Sequence, residues 1–142
     1  MRFCFILYAL GPPCLSTDVR AARTMSISAA QASKFYEQAV RDGRVFTLES
    51  PEGFLVFPIR DIEVIPFWSS RSRVEKIQST MPEYAHYSIH EKPFAEFYEE
   101  TLPWLAEQHI HIGVNWSGER LSGFDVSVSD LRANLGYWME KR

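Results

Sequence analysis

Cysteine is nearly missing from this chain of 142 residues: there are two, Cys4 and Cys14, and none from residue 15 onward. The body of the sequence therefore has no thiol for a disulfide framework, a cysteine zinc site or nucleophilic catalysis, and a reducing, cytoplasmic setting is expected. Long apolar runs are missing as well. Phe3 to Leu10 is short and breaks at Gly11-Pro12-Pro13, and no segment reaches the ~18 to 20 residues of a membrane-spanning helix. A basic excess is also absent. The formal net charge is −3, and the first 25 residues hold three Arg and one Asp, which leaves 12 Lys and Arg against 17 Asp and Glu in the rest. Binding to phosphates needs cations clustered on one face, so no nucleic-acid partner is expected, and without a spanning segment no membrane partner is expected. There is no glycine-rich phosphate loop and no Gly-x-Ser-x-Gly elbow, so no cofactor and no serine triad are expected.

Apolar material for one core is abundant, with 46% hydrophobic and 14% aromatic residues. Residues 1–25 read as an unstructured extension ahead of a single domain, 26–142, with Met25 as the natural start. Ser28 and Gln31 form a capping box, and Ala32, Phe35, Tyr36, Ala39 and Val40 repeat at helical spacing until Gly43. Val45 to Glu49 reads as a strand, Ser50 to Gly53 as a turn, and Phe54 to Ile59 as an apolar strand covered on both faces. Arg60-Asp61 turns the chain into Ile62 to Phe67, where Pro66 marks an edge or strand end. Ser69 or Ser70 then caps a helix that runs to Thr80 and is closed by Met81-Pro82.

Tyr87 to His90 is a further short strand, and Pro93 opens a helix whose inner side carries Phe94, Phe97, Tyr98, Thr101, Leu102 and Leu105. Pro103, on its outer side, predicts a kink. In Ile110 to Trp116 the alternation places Ile110, Ile112, Val114 and Trp116 on one face and His109, His111, Gly113 and Asn115 on the other. Phe124 to Val128 is its partner strand, and Ser129 caps a last helix. The order αβββα(β)αββα predicts an α+β fold: a mostly antiparallel sheet of about five or six strands with helices packed on it.

Three features of the domain recur together: the opening helix with Phe35 and Tyr36, the entry Pro66-Phe67-Trp68-Ser69, and Phe94-x-x-Phe-Tyr followed by Leu102-Pro103-Trp104-Leu105 and Ile110-His-Ile-Gly-Val-Asn115-Trp. On these residues the stretch from about Ser26 to Trp138 resembles an uncharacterised bacterial family of small cytoplasmic proteins, domain of unknown function 2750. The resemblance implies a fold and a compartment but no catalytic residue.

Three constellations remain. His109 and His111 lie two apart on a strand, so their imidazoles point the same way, roughly 6 to 7 Å apart, and are weak candidates for a metal. Asp125 would complete a two-histidine, one-carboxylate set, but pairing Trp116 with Phe124 puts it opposite Asn115, about 13 Å along the strand from His111. An exposed polar strand face is the simpler reading. At the helix start after Trp68, a ring that could line a groove, Ser69, Ser70, Arg71 and Arg73 gather free N–H groups, hydroxyls and two cations suited to an anion, against the simpler reading of an ordinary cap. Finally, no Lys or Arg occurs between Lys92 and Arg120, an interval that holds Glu96, Glu99, Glu100, Glu107 and Glu119. Such a face suits a basic protein partner, or is simply solvated. The sequence thus points first to a non-enzymatic binding domain with a protein partner at the acidic helix or the groove near Trp68. The alternative is a metal- or ligand-dependent enzyme using His109, His111 and the Ser70/Arg71 helix start.

Overall fold

The computed structural model describes the backbone of residues 19–118 and 120–141, with side chains from residue 28 onward. The first helix, α1, is Val19–Asp42. It starts nine residues before the capping box, so Ser28 lies inside the helix and does not cap it. The preceding Arg-Ala-Ala-Arg-Thr-Met stretch has strong helix formers and no Gly or Pro to stop propagation. Of the expected extension, residues 1–18, including Cys4 and Cys14, lie outside the described residues. Gly43 ends α1 at φ +73 with its N–H on the Ala39 carbonyl, the left-handed stop that glycine permits.

Seven strands follow: β1 (Arg44–Ser50), β2 (Gly53–Phe54), β3 (Phe57–Ile59), β4 (Ile62–Phe67), β5 (Ser88–Pro93), β6 (Ile110–Val114) and β7 (Asp125–Val126). They form two sheets, β2-β1-β5 and β3-β4-β6-β7, where one was expected. The fold is α+β and its pairings are antiparallel, with β4–β6 as the parallel exception. Phe54 to Ile59, read as one strand, divides at the exposed Val56: the Leu55 N–H still bonds Leu48 in the first sheet, whereas Phe57 pairs with Val64 in the second. Both pieces are edges and only partly buried, so the double cover expected for this run is not found. Pro58, which cannot donate to a ladder, fits that edge position. The Arg60-Asp61 turn joins Ile59 to Ile62 as anticipated, with Arg60 at φ +56.

The two sheets are stitched where Phe46 and Trp68 exchange backbone hydrogen bonds of 2.8 and 2.7 Å. Beside them the Thr47 hydroxyl, fully buried, donates to the Pro66 carbonyl at 2.7 Å; Pro66 stands at the end of the strand Ile62–Phe67, as one of its two readings had it, but that strand is central and not an edge. Side chains alternate across this stitched surface. Val45, Ile65, Phe67, Ile110, Ile112 and Val114 face α1 together with α3 (residues 94–107) and α4 (Val128–Lys141). Phe46, Leu48, Val64 and Trp68 face the opposite way, onto α2 (Arg71–Thr80) and the loop carrying Trp116. Phe67 and Trp68, both fully buried, thus anchor opposite layers, each contributing roughly 1.5–3 kcal/mol through burial.

α3 contains a π-helical stretch, Phe97–Thr101, which ends two residues before Pro103. Proline lacks the N–H for the ordinary helical bond, and a wider turn takes up the irregularity expected there. Its inner face is the predicted one, with Phe94, Phe97, Thr101, Leu102 and Leu105 buried. The cap of α4 is Ser127, whose hydroxyl accepts from the Asp130 N–H, and not Ser129. Among the described residues no helix is long and apolar enough to cross a membrane.

Candidate functional site

The parallel strands β4 and β6 end side by side, Phe67 opposite Val114; Asn115 directly follows β6, and Ser69 follows β4 after Trp68. Asn115 sits at φ +50 with 1% exposure, a left-handed conformation that asparagine tolerates better than most side chains. Its Oδ1 accepts from the Ser69 N–H at 2.9 Å, while its Nδ2 donates to the Gln31 carbonyl and to Ser69 Oγ, each at 3.1 Å. Ser69 Oγ in turn donates to Gln38 Oε1 at 2.6 Å. Three elements, α1, β4 and β6, are therefore tied together by one buried polar network whose partners are satisfied.

The left-handed turn at Asn115 also breaks the strand's alternation. Trp116, expected on the Ile112 face, swings to the Gly113 side: a Cβ on Gly113 would stand 2.5 Å from the indole, and one on Gly123 would stand 2.8 Å from it. The ring packs 5.5 Å from Phe57 and donates Nε1–H to the Phe124 carbonyl at 2.8 Å. Trp68 stands behind it, fully buried, its Nε1–H on the Trp116 carbonyl at 2.8 Å. Trp68 hence cannot line a groove for a partner. Its part in the site is to fix the Trp116 backbone.

Beyond these strand ends the two connections separate, one into α2 and the other into the Trp116–Gly118 loop, and a cavity of about 630 Å³ opens between them. In sheets with parallel strands, the carboxyl ends where connections diverge are where crevices form. Ile77, Met81 and the Trp116 ring are its apolar lining; Gln31, Arg73, Lys76, Thr80, Glu83 and Ser117 are its polar lining.

The helix start read from the sequence divides its residues. Ser70 is the N-cap and accepts from the Arg73 N–H at 3.4 Å. Arg71 turns outward and lies 5.9 Å over the Phe46 ring. Arg73 turns into the cavity, where its Nη1 donates to Gln31 Oε1 at 2.7 Å, and burial draws its guanidinium down from its ordinary pKa. A guanidinium has so high an intrinsic pKa that it stays charged all the same. Among the described residues no carboxylate forms an ion pair with Arg73 or Lys76.

The histidine pair is not brought together. His109 precedes β6 at φ +58 and is exposed, so it does not share the strand face of His111. His111 Nδ1 lies 3.0 Å from Asp125 Oδ2, whose side chain is 2% exposed. The separation of about 13 Å inferred from the sequence is corrected by the register, in which Asp125 pairs with Gly113 and not with Asn115. A Ser117–Ser122 bridge inside the connecting loop accounts for the offset. Among the described residues no three His, Cys, Asp or Glu side chains are grouped to hold a metal.

On α3, Glu96 is paired with Lys92 at 3.1 Å, while Glu99 and Glu100 are exposed. Lys92, 9% exposed, also sits 5.7 Å over the Phe54 ring. Phe54, Lys92, Glu96, Glu100 and the exposed Trp104 border a shallow cleft of about 240 Å³.

The sequence singles out Arg73, which lines the cavity, and Ser70, which only caps α2, and gives no role to Gln31, Asn115 or Trp116. Asn115 directly after a strand was the one available signal, because asparagine is enriched at left-handed positions that end regular structure. Gln31 carried none, since its role depends on α1 crossing the ends of β4 and β6. The family described as "Protein of unknown function (DUF2750)" matches residues 32–135. No curated protein matches the chain.

Proposed function

We propose that this chain, which belongs to the DUF2750 family, is a small-molecule binding domain of a reducing, cytoplasmic compartment. The observation that carries the reading is the cavity between α2 and the Trp116 loop, whose volume of about 630 Å³ suits one small ligand. It joins an apolar wall to a few convergent polar groups, the usual composition of such sites. Its walls are held by the Asn115–Ser69 network, so the shape is set before any ligand arrives. Binding is favoured over catalysis because, among the described residues, the lining holds no histidine or cysteine and its hydroxyls, Thr80 and Ser117, are not hydrogen-bonded to a basic side chain. The compartment rests on the thiol-free sequence from residue 15 onward.

A fragment screen read by thermal shift tests this, with Thr80→Trp as the control. Thr80 is exposed at the cavity margin, so the indole fills the space without entering the core. Fragments that stabilise the wild type and not Thr80→Trp are expected. Equal stabilisation of both proteins would place binding elsewhere.

The cleft at α3 favours a second reading, a docking site for a basic protein segment. What supports it is the exposed Trp104 beside Glu100, a ring and a carboxylate disposed to receive a Lys or Arg side chain, with Glu96 already paired with Lys92. Binding of an oligolysine peptide, weakened by Glu99→Lys with Glu100→Lys and separately by Trp104→Ala, is its expected result. Binding indifferent to both changes removes it.

A further inference from the structure

Among the described residues, the cations that line the cavity, Arg73 and Lys76, have no ion-pair partner. Arg73 is half-buried, and its Nη1 spends its hydrogen bond on the neutral Gln31 amide. Lys76 stands one turn further along α2, on the same side of the helix, and lines the same cavity. Elsewhere in this structure cations facing inward are matched: Lys92 has Glu96 at 3.1 Å, and Arg132 lies 4.2 Å over the Tyr98 ring while donating to the Tyr98 carbonyl. Withdrawing a guanidinium from water without a counter-charge is costly, and an anion entering the cavity would offset that cost. Gln31 restrains the guanidinium from one side and leaves its remaining N–H groups to form the planar fork that fits a carboxylate or phosphate. Ile77, Met81 and Trp116, which line the same cavity, offer nothing to a charge and suit an apolar or aromatic body.

Resting on the reading of the cavity as a ligand site, we propose that its ligand is a small organic anion. The anionic group, a carboxylate or a phosphate monoester, is held by Arg73 and Lys76, and its apolar body lies against Ile77, Met81 and Trp116.

Phenylacetate, phenyl phosphate and the neutral phenylacetamide, titrated into the full chain, separate the possibilities. The readout is the nitrogen–proton NMR spectrum, with the Trp116 indole N–H assigned by its loss in Trp116→Phe. The two anions are expected to shift the Trp116 indole and the Ile77 amide and to bind about tenfold or more tightly than the amide. Arg73→Gln removes that preference and Arg73→Lys restores part of it, and the retained dispersion of the Arg73→Gln spectrum shows that the variant is folded. Whichever anion binds more tightly identifies the head group. Anions and amide binding alike, with Arg73→Gln without effect, would overturn the charge assignment and leave the cavity reading standing. If none of the three probes moves Trp116 or Ile77, the cavity reading itself is overturned.

Discussion

Asn115 carries two separable contributions, a backbone conformation and a set of side-chain hydrogen bonds. Glycine keeps the first and loses the second; alanine loses both. Urea denaturation of Asn115→Ala should show a loss of about 2–4 kcal/mol, with Asn115→Gly about 1 kcal/mol less damaging. Equal losses would mean that the left-handed backbone carries no cost. Tyr36 offers a test by pH. Burial pushes its phenol up to about 12, with Asp130 adding to the rise and a hydrogen bond with Asn134 opposing it. The unfolded chain releases this proton near pH 10 and the folded chain does not, so stability is intact below pH 10 and falls between about 10 and 12. The loss due to this group is about 2–3 kcal/mol, and Tyr36→Phe should flatten that part of the pH–stability curve. An unchanged slope in the variant would contradict the assignment. At this scale the sequence was partly legible. Ser70 and the two arginines were visible as a helix start, but a spacing of two along a helix does not tell which guanidinium meets solvent and which meets Gln31.

β6 shows how one residue redirects an element. Alternation holds from Ile110 to Val114 and was readable; it fails at Asn115, and Trp116 then covers Gly113. A methyl at Gly113 collides with an indole that its bond to Phe124 keeps in place, so Gly113→Ala should cost about 1–3 kcal/mol. Gly136, inside α4 with nothing within 4 Å of an added Cβ, should respond in the opposite sense, Gly136→Ala raising stability by about 0.5–1 kcal/mol. Thermal or urea melts of the two variants check both, and a shared sign would refute the packing account. The split of Phe54 to Ile59 was not readable, because a run of apolar residues is the same whether it serves one sheet or passes between two.

For the whole molecule, helix periodicity and hairpin signals were sufficient for the α+β class and for most elements. They do not reveal which distant strands pair. β4 and β6 are joined through α2, β5 and α3, and their parallel contact is settled by tertiary packing, not by a local turn. The cavity lies at the ends of this pair, so its position was hidden for the same reason, although Arg73 was in view. The sequence's other emphasis, the acidic stretch, lies in α3, which packs on the opposite layer from α2, so the two sites should act independently. Charge reversal at Glu99 and Glu100 is accordingly expected to leave phenylacetate affinity within about twofold, measured by the same titration. The most direct test of the account is a crystal structure of the protein soaked with phenylacetate. The predicted result is the phenyl ring against Ile77, Met81 and Trp116 with the carboxylate on Arg73; a cavity left unoccupied while the probe binds elsewhere would contradict it.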